Sequence, residues 1–198
     1  RYNSLRVTGT SLTKHIKAII TILFMKLPLL LINFKTYKEA TGNNALKLAK
    51  ICESVSKKNK INIAIAPQFT DIQKLASEVK IPIFSQHIDV EPGAHTGHIS
   101  AFAVKEAGAV GTLINHSERK LQLNEIESCV KLAKEHKLLT VCCSPSLDET
   151  SEIIKFNPDF IAYEPPELIG TGISVSKTKP EVITDIVDLV KKSNAKVN

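Results

Sequence analysis

The chain has 198 residues, 43% apolar and 23% charged, with only eight glycines and nine prolines. This composition describes one ordinary folded domain and excludes disordered, collagen-like and coiled-coil classes. The formal charge is +6, but residues 1–24 hold Arg1, Arg6, Lys14 and Lys17 and no acid, which leaves +2 for residues 25–198; the excess forms a tail, not the basic face that a nucleic-acid surface requires.

The amino-terminal 24 residues differ in character from the rest of the chain. They are basic, free of acids and contain serines, which is the composition of a transit peptide. The only methionine, Met25, stands directly before a strand-like run and reads as the natural start, with residues 1–24 as a leader of upstream or targeting sequence. The apolar span from Ala18 to Phe34 is a poor membrane segment, because Lys26 and Pro28 interrupt it.

From Leu29 on, short apolar runs alternate with patterns of helical period. Strands are predicted at Leu29–Phe34, Ile61–Ala66, Ile81–Ser85, Gly111–Ile114, Leu138–Cys142 and Phe160–Tyr163. Helices are predicted at Asn43–Lys57, Thr70–Lys80, Ser100–Ala107, Asn124–His136, Leu147–Lys155 and Lys179–Lys192. Gln86–Ile99 and Glu164–Ser176 read as Gly/Pro-rich loops, and Lys196–Asn198 as the first residues of a further strand. Cys52, Cys129, Cys142 and Cys143 form no Cys-x-x-Cys pair and read as buried, reduced thiols.

Six βα units with near-continuous apolar strands define an α/β protein with a helix-covered parallel sheet. An open doubly wound sheet and a (β/α)8 barrel both fit that order. No G-x-G-x-x-G follows the first strand, and polar residues recur at strand carboxyl ends: Asn33 and Lys35, His87, Asn115 and His116, and Glu164. A barrel collects such residues on one rim, where its chemistry takes place.

The rim residues suggest a chemistry before any family is named. Lys35 is a fixed positive charge for an anionic substrate, and Asn33 is a neutral donor expected on the same strand face. His116 opens a pattern with an acid in the first turn, so a helix N-terminus is expected to lower its pKa and keep the imidazole neutral. Glu164 ends an apolar strand, where an enclosed carboxylate makes a usable general base. Gly170, Thr171 and Gly172 offer backbone N–H groups suited to phosphate.

Asn33-Phe34-Lys35-Thr36-Tyr37, Asn115-His116-Ser117-Glu118-Arg119 and Ala162-Tyr163-Glu164-Pro165-Pro166-Glu167-Leu168-Ile169-Gly170-Thr171-Gly172 together resemble the three signature segments of triosephosphate isomerases, the last in the form of the archaeal-type branch. Gly93-Ala94-His95-Thr96-Gly97-His98-Ile99-Ser100 is similar to that family's interface loop. The resemblance runs from Met25 to Asn198. It implies interconversion of dihydroxyacetone phosphate and glyceraldehyde 3-phosphate through an enediolate, in glycolysis and gluconeogenesis, with no cofactor and no metal. Glu164 would be the base, His116 the neutral electrophile, and Lys35 and Asn33 would engage the substrate. Glu118 would stand beside Lys35, and Ile169, Gly170, Thr171 and Gly172 would close over the phosphate. Pro165 and Pro166 would stiffen the hinge of that loop. A homo-oligomer would form through loop 87–99, with Thr96 at the interface, in the cytoplasm, without nucleic-acid or membrane partners.

The family's barrel has eight strands and this chain supplies six and a stub, so residues 25–198 read as a partial barrel cut before strands seven and eight, inactive or weak as it stands. The competing readings are a membrane-tethered or non-catalytic interaction module built on residues 1–34, another phosphate-binding barrel enzyme such as an epimerase, and a metal enzyme using His87, Asp89, Glu91, His95 and His98.

Overall fold

The structure is a computed structural model and describes residues 27–90, 93–169, 180–193 and 197–198. The leader and Met25 lie outside the described residues, as do Glu91 and residues 170–179. The described strands are β1 (Leu29–Asn33), β2 (Asn62–Ala66), β3 (Phe84–Ser85), β4 (Gly111–Ile114), β5 (Leu139–Ser144) and β6 (Phe160–Tyr163). The helices are α1 (Asn43–Asn59), α2 (Phe69–Glu78), α3 (Ala101–Glu106), α4 (Leu123–Glu135), α5 (Leu147–Ile154) and α6 (Pro180–Ser193). The described residues form two compact units, 27–84 with 106–110, and those of 85–105 with those from 111 on.

In the first unit β1 and β2 pair in parallel from Leu29–Asn62 to Asn33–Ala66. A parallel pair needs a crossover, and α1 supplies it. Its Ala45, Ala49 and Cys52 recur at helical spacing and are buried. The helix stops at Lys60, whose φ of 54° is left-handed, and Lys57 and Lys58 in its last turn complement the helix dipole. Asp71 of α2 accepts a hydrogen bond from the Gly42 N–H at 2.8 Å and so ties the entry of α1 to α2. The strand expected over Ile81–Ser85 is reduced to Phe84–Ser85. Ile83 still bridges Ile65 and accepts from the Val110 N–H, but Pro82 has no N–H to give a ladder.

The second unit carries the parallel run of β4, β5 and β6. Gly111 pairs with Leu139, and Ser144 with Tyr163. All four residues of β4 are buried, as a strand covered on both faces requires. Helix α4 buries Ile126, Cys129, Val130 and Ala133, one face at i, i+3, i+4 and i+7, and opens with a capping box between Gln122 and Glu125. Ser146 caps α5 by accepting from the Glu149 N–H. Helix α6 packs Ile186 and Val190 with Ile154 and Val197. Val197 and Asn198 run beside β6: the Asn198 N–H donates to Asp159 and its carbonyl accepts from Ile161. That is the position of the further strand expected at 196–198, whose residue 196 lies outside the described residues.

Candidate active site

Parallel strands release their next residues at one edge of the sheet, so the segments after β4 and β6 emerge side by side, flanking β5. His116 and Glu164 meet there. The His116 Nε2 lies 3.2 Å from Glu164 Oε1, with the imidazole only 13% exposed and the carboxylate 26%. Glu164 Oε2 accepts the Ser117 N–H at 3.0 Å. On the other side of the ring, Nδ1 accepts the Glu118 N–H at 3.2 Å. With Nδ1 placed to accept from the Glu118 N–H, Nε2 is the ring nitrogen that faces the Glu164 carboxylate.

Two expectations about these residues are corrected. No helix opens at His116: residues 115–120 form a turn, and α4 begins only at Leu123. The ring is therefore held by a backbone donor at Nδ1, not by a helix end. Glu164 is not enclosed by apolar groups either; it is part-exposed and already held by two donors. Below it lies Cys143, whose thiol is pushed up by burial and then by the Glu164 carboxylate, to which it is hydrogen-bonded.

Asn33 and Lys35 belong to the first unit. Asn33 ends β1, but Lys35 has left the strand: its φ is 49°, and its N–H donates to Asn33 Oδ1 at 2.9 Å. The two side chains therefore do not share a strand face. The Asn33 carboxamide closes a turn on itself, a local preference of Asn that competes with the strand. Glu118 is mostly exposed, and its carboxylate lies 3.7 Å from His116 Nδ1. Ile169 is exposed after a 3-10 turn at Pro166–Leu168. Gly170, Thr171 and Gly172 lie outside the described residues.

The 87–99 loop is closed at its neck by Asp89. Its N–H donates to the Ile99 carbonyl, and its carboxylate accepts the Ile99 N–H at 2.6 Å. The same carboxylate takes His87 Nε2 at 3.1 Å and Arg119 at 2.9 Å. Burial raises the Asp89 carboxyl, but the Ile99 N–H, His87 and Arg119 outweigh that and hold it below its usual range. Burial lowers His87, against the pull of Asp89. His95 and His98 stack at 4.7 Å, with Thr96 exposed between them. Among the described residues no three His, Cys, Asp or Glu side chains gather as a metal site.

Two features escaped the sequence reading. Asp89 serves as the common acceptor of His87, Ile99 and Arg119. Asn115, directly before His116, is buried and left-handed, with φ 62°. An Asn at a strand end is a recognisable signal for such a turn.

A parallel α/β architecture with an acid–imidazole pair past the strand ends is what a barrel-class enzyme of proton-transfer chemistry presents. Similarity to known proteins narrows the class. A family model of triosephosphate isomerase matches residues 28–198. Triosephosphate isomerase of Methanosarcina acetivorans is 52% identical over 171 residues, 86% of this chain and 77% of that protein. That of Methanosarcina barkeri is 49% identical over 174 residues, covering 87% and 78%, and that of Methanocaldococcus jannaschii 48% over 170 residues, covering 85% and 78%. The crystal structure of triosephosphate isomerase from Bartonella henselae shares the fold, with a TM-score of 0.70 at 22% identity over 86% of this chain and 80% of that one. The chain belongs to the triosephosphate isomerase family. Membership favours an isomerase over an interaction module or a different phosphate-binding barrel enzyme. No helix among the described residues is long and apolar enough to cross a membrane.

Proposed function

We propose that the protein interconverts dihydroxyacetone phosphate and glyceraldehyde 3-phosphate, with Glu164 and His116 performing the proton transfers and any turnover by these 198 residues alone being weak. The observation that carries this reading is His116 Nε2 standing 3.2 Å from the Glu164 carboxylate while Nδ1 is placed to accept from the Glu118 N–H. A substrate carbonyl oxygen takes the Nε2–H in place of Glu164. The carboxylate is then released to remove a proton from the carbon beside the carbonyl and return it to the neighbouring carbon. The enediolate oxygen that develops is stabilised by the imidazole, which gives its Nε2 proton to that oxygen and takes the proton of the neighbouring hydroxyl in exchange, so that the old carbonyl becomes the hydroxyl and the old hydroxyl the carbonyl. Because the base returns the same class of proton it removes, no redox group is needed.

Asn33 and Lys35 are assigned to the substrate's charge on their motif, with Glu118 assigned on its motif as the partner of Lys35. Ile169 and residues 170–172 are assigned to phosphate on theirs. Closure of that segment would exclude water from the intermediate. We assign the exposed Thr96 tip of the 87–99 loop to contact with a second copy of the chain. The four cysteines are free and buried, which suits a reducing, cytoplasmic setting.

The test is a coupled assay of the purified chain with glyceraldehyde 3-phosphate. His116→Gln, which keeps a donor without an imidazole, lowers turnover by about 10²-fold or more; unchanged turnover rejects the assignment. Thr96→Arg lowers the mass found by sedimentation; an unaltered mass rejects the interface.

A further inference from the structure

The turn that carries His116 has no helix to hold it, so something else must fix it. Asn115 is only 1% exposed, and every polar atom of its side chain is engaged. Its Nδ2 donates to the Cys143 carbonyl of β5 at 2.8 Å and to Glu149 Oε1 of α5 at 2.6 Å. Its Oδ1 accepts the Leu121 N–H at 2.9 Å. Leu121 ends the turn that His116 begins, so one carboxamide ties both ends of residues 116–120 to the neighbouring strand and helix. Glu149 is held in turn by its own backbone N–H on Ser146 and by Lys120, whose Nζ lies 2.6 Å from Oε1. Lys120 is itself part of the turn. The ring of contacts is therefore closed: turn, Asn115, Glu149, and back to the turn.

We propose that Asn115 is a positioning residue of the isomerisation, acting with Glu149 to aim the His116 Nε2–H at the reacting oxygen. The residue type is specified twice over. The left-handed backbone favours Gly, Asn or Asp at this position. The two acceptors around Nδ2, a carbonyl and a carboxylate, exclude Asp, which would set two carboxylates against each other. Gly takes the backbone but ties nothing. This inference rests on the catalytic reading of His116.

The experiment compares Asn115→Asp, Glu149→Gln and the double variant in the full chain. It reads kcat and KM for glyceraldehyde 3-phosphate and the ¹⁵N resonances of the His116 ring. Asn115→Asp is expected to lower kcat at least tenfold, with KM changed less than twofold, and to shift or broaden the His116 resonances. The double variant recovers several-fold in kcat, because the amide introduced at position 149 donates to the carboxylate introduced at position 115. A wild-type kcat and His116 spectrum in Asn115→Asp, or no recovery in the double variant, overturns the proposal. Should Asn115→Asp lose its cooperative melt, Asn115→Gly is read in its place: a tenfold loss of kcat supports the proposal and an unchanged kcat overturns it. His116→Gln is the control. If it leaves turnover intact, the catalytic reading itself fails; if it abolishes turnover while the Asn115 variants do not, only the positioning role falls.

Discussion

His116 Nε2 and Glu164 Oε1 stand 3.2 Å apart although they follow different strands, β4 and β6, separated in the sheet by β5. The contact needs no long reach. Parallel pairing in register sets Ile114 against Cys142 and Ser144 against Tyr163, so both strand ends face the same edge. The Glu164 N–H then donates to the Ser144 carbonyl and fixes where the base starts. The His116–Glu164 contact is thus a consequence of strand polarity and register.

The Asp89 cluster makes stability fall on acidification. His87 is lowered from 6.5 in the folded chain, so between its folded value and about 6.5 the unfolded chain binds more protons and stability drops as pH falls. Asp89 is lowered from 3.8, so a second loss follows as pH falls through that region towards its folded value. Melting temperature measured from pH 7.5 to 4.5 should decline, and His87→Gln should flatten the portion below 6.5. Asp89→Ala, which leaves the buried His87 and the Ile99 N–H without their acceptor, should cost about 1–3 kcal/mol in denaturant unfolding at neutral pH.

Gly108 adopts φ +104°, and a Cβ there would lie 2.7 Å from the Cβ of Ala76. The contact is with a short side chain on α2, which has no flexible end to swing away. Gly108→Ala should therefore destabilise by about 2–3 kcal/mol, from backbone strain and overpacking combined. Chemical denaturation reads this as a lower midpoint with an unchanged slope.

The thiols should be inert until the chain opens. Burial, with Asp89 and Glu125 nearby, pushes Cys129 up to about 12, and burial raises Cys52, Cys142 and Cys143 as well. At pH 8 the thiolate fraction of Cys129 is on the order of one in ten thousand. A disulfide reagent should label these cysteines slowly in buffer and rapidly in guanidinium. Fast labelling in buffer would contradict the burial.

How much of this is legible in the chain depends on whether a pattern or a single dihedral decides. β4 and β6 begin and end where the sequence pattern places them, at Gly111–Ile114 and Phe160–Tyr163, because each run stops at a polar residue, Asn115 and Glu164. α4 is equally plain from its i, i+3, i+4 spacing. Lys35 and Asn115 are not, because hydrophobic periodicity says nothing about a left-handed residue just past a strand. The alternation of β1 puts Lys35 on the face of Asn33, yet its N–H turns back onto Asn33. Ser-Glu after His116 reads as a helix start, but the residues before Leu123 satisfy their donors on Glu164, His116 and Asn115 instead. The His116–Glu164 pair is legible as residue types in order; the contact at His116 Nδ1 is not, since it rests on one backbone N–H.

The most direct test concerns the carbon-bound proton. Dihydroxyacetone phosphate incubated with the chain in D2O should acquire deuterium at the carbon that Glu164 deprotonates, and Glu164→Gln should slow that exchange by about 10²–10⁴-fold. Exchange that proceeds in the Glu164→Gln chain at the rate of the unsubstituted one would contradict the assignment of Glu164 as the base.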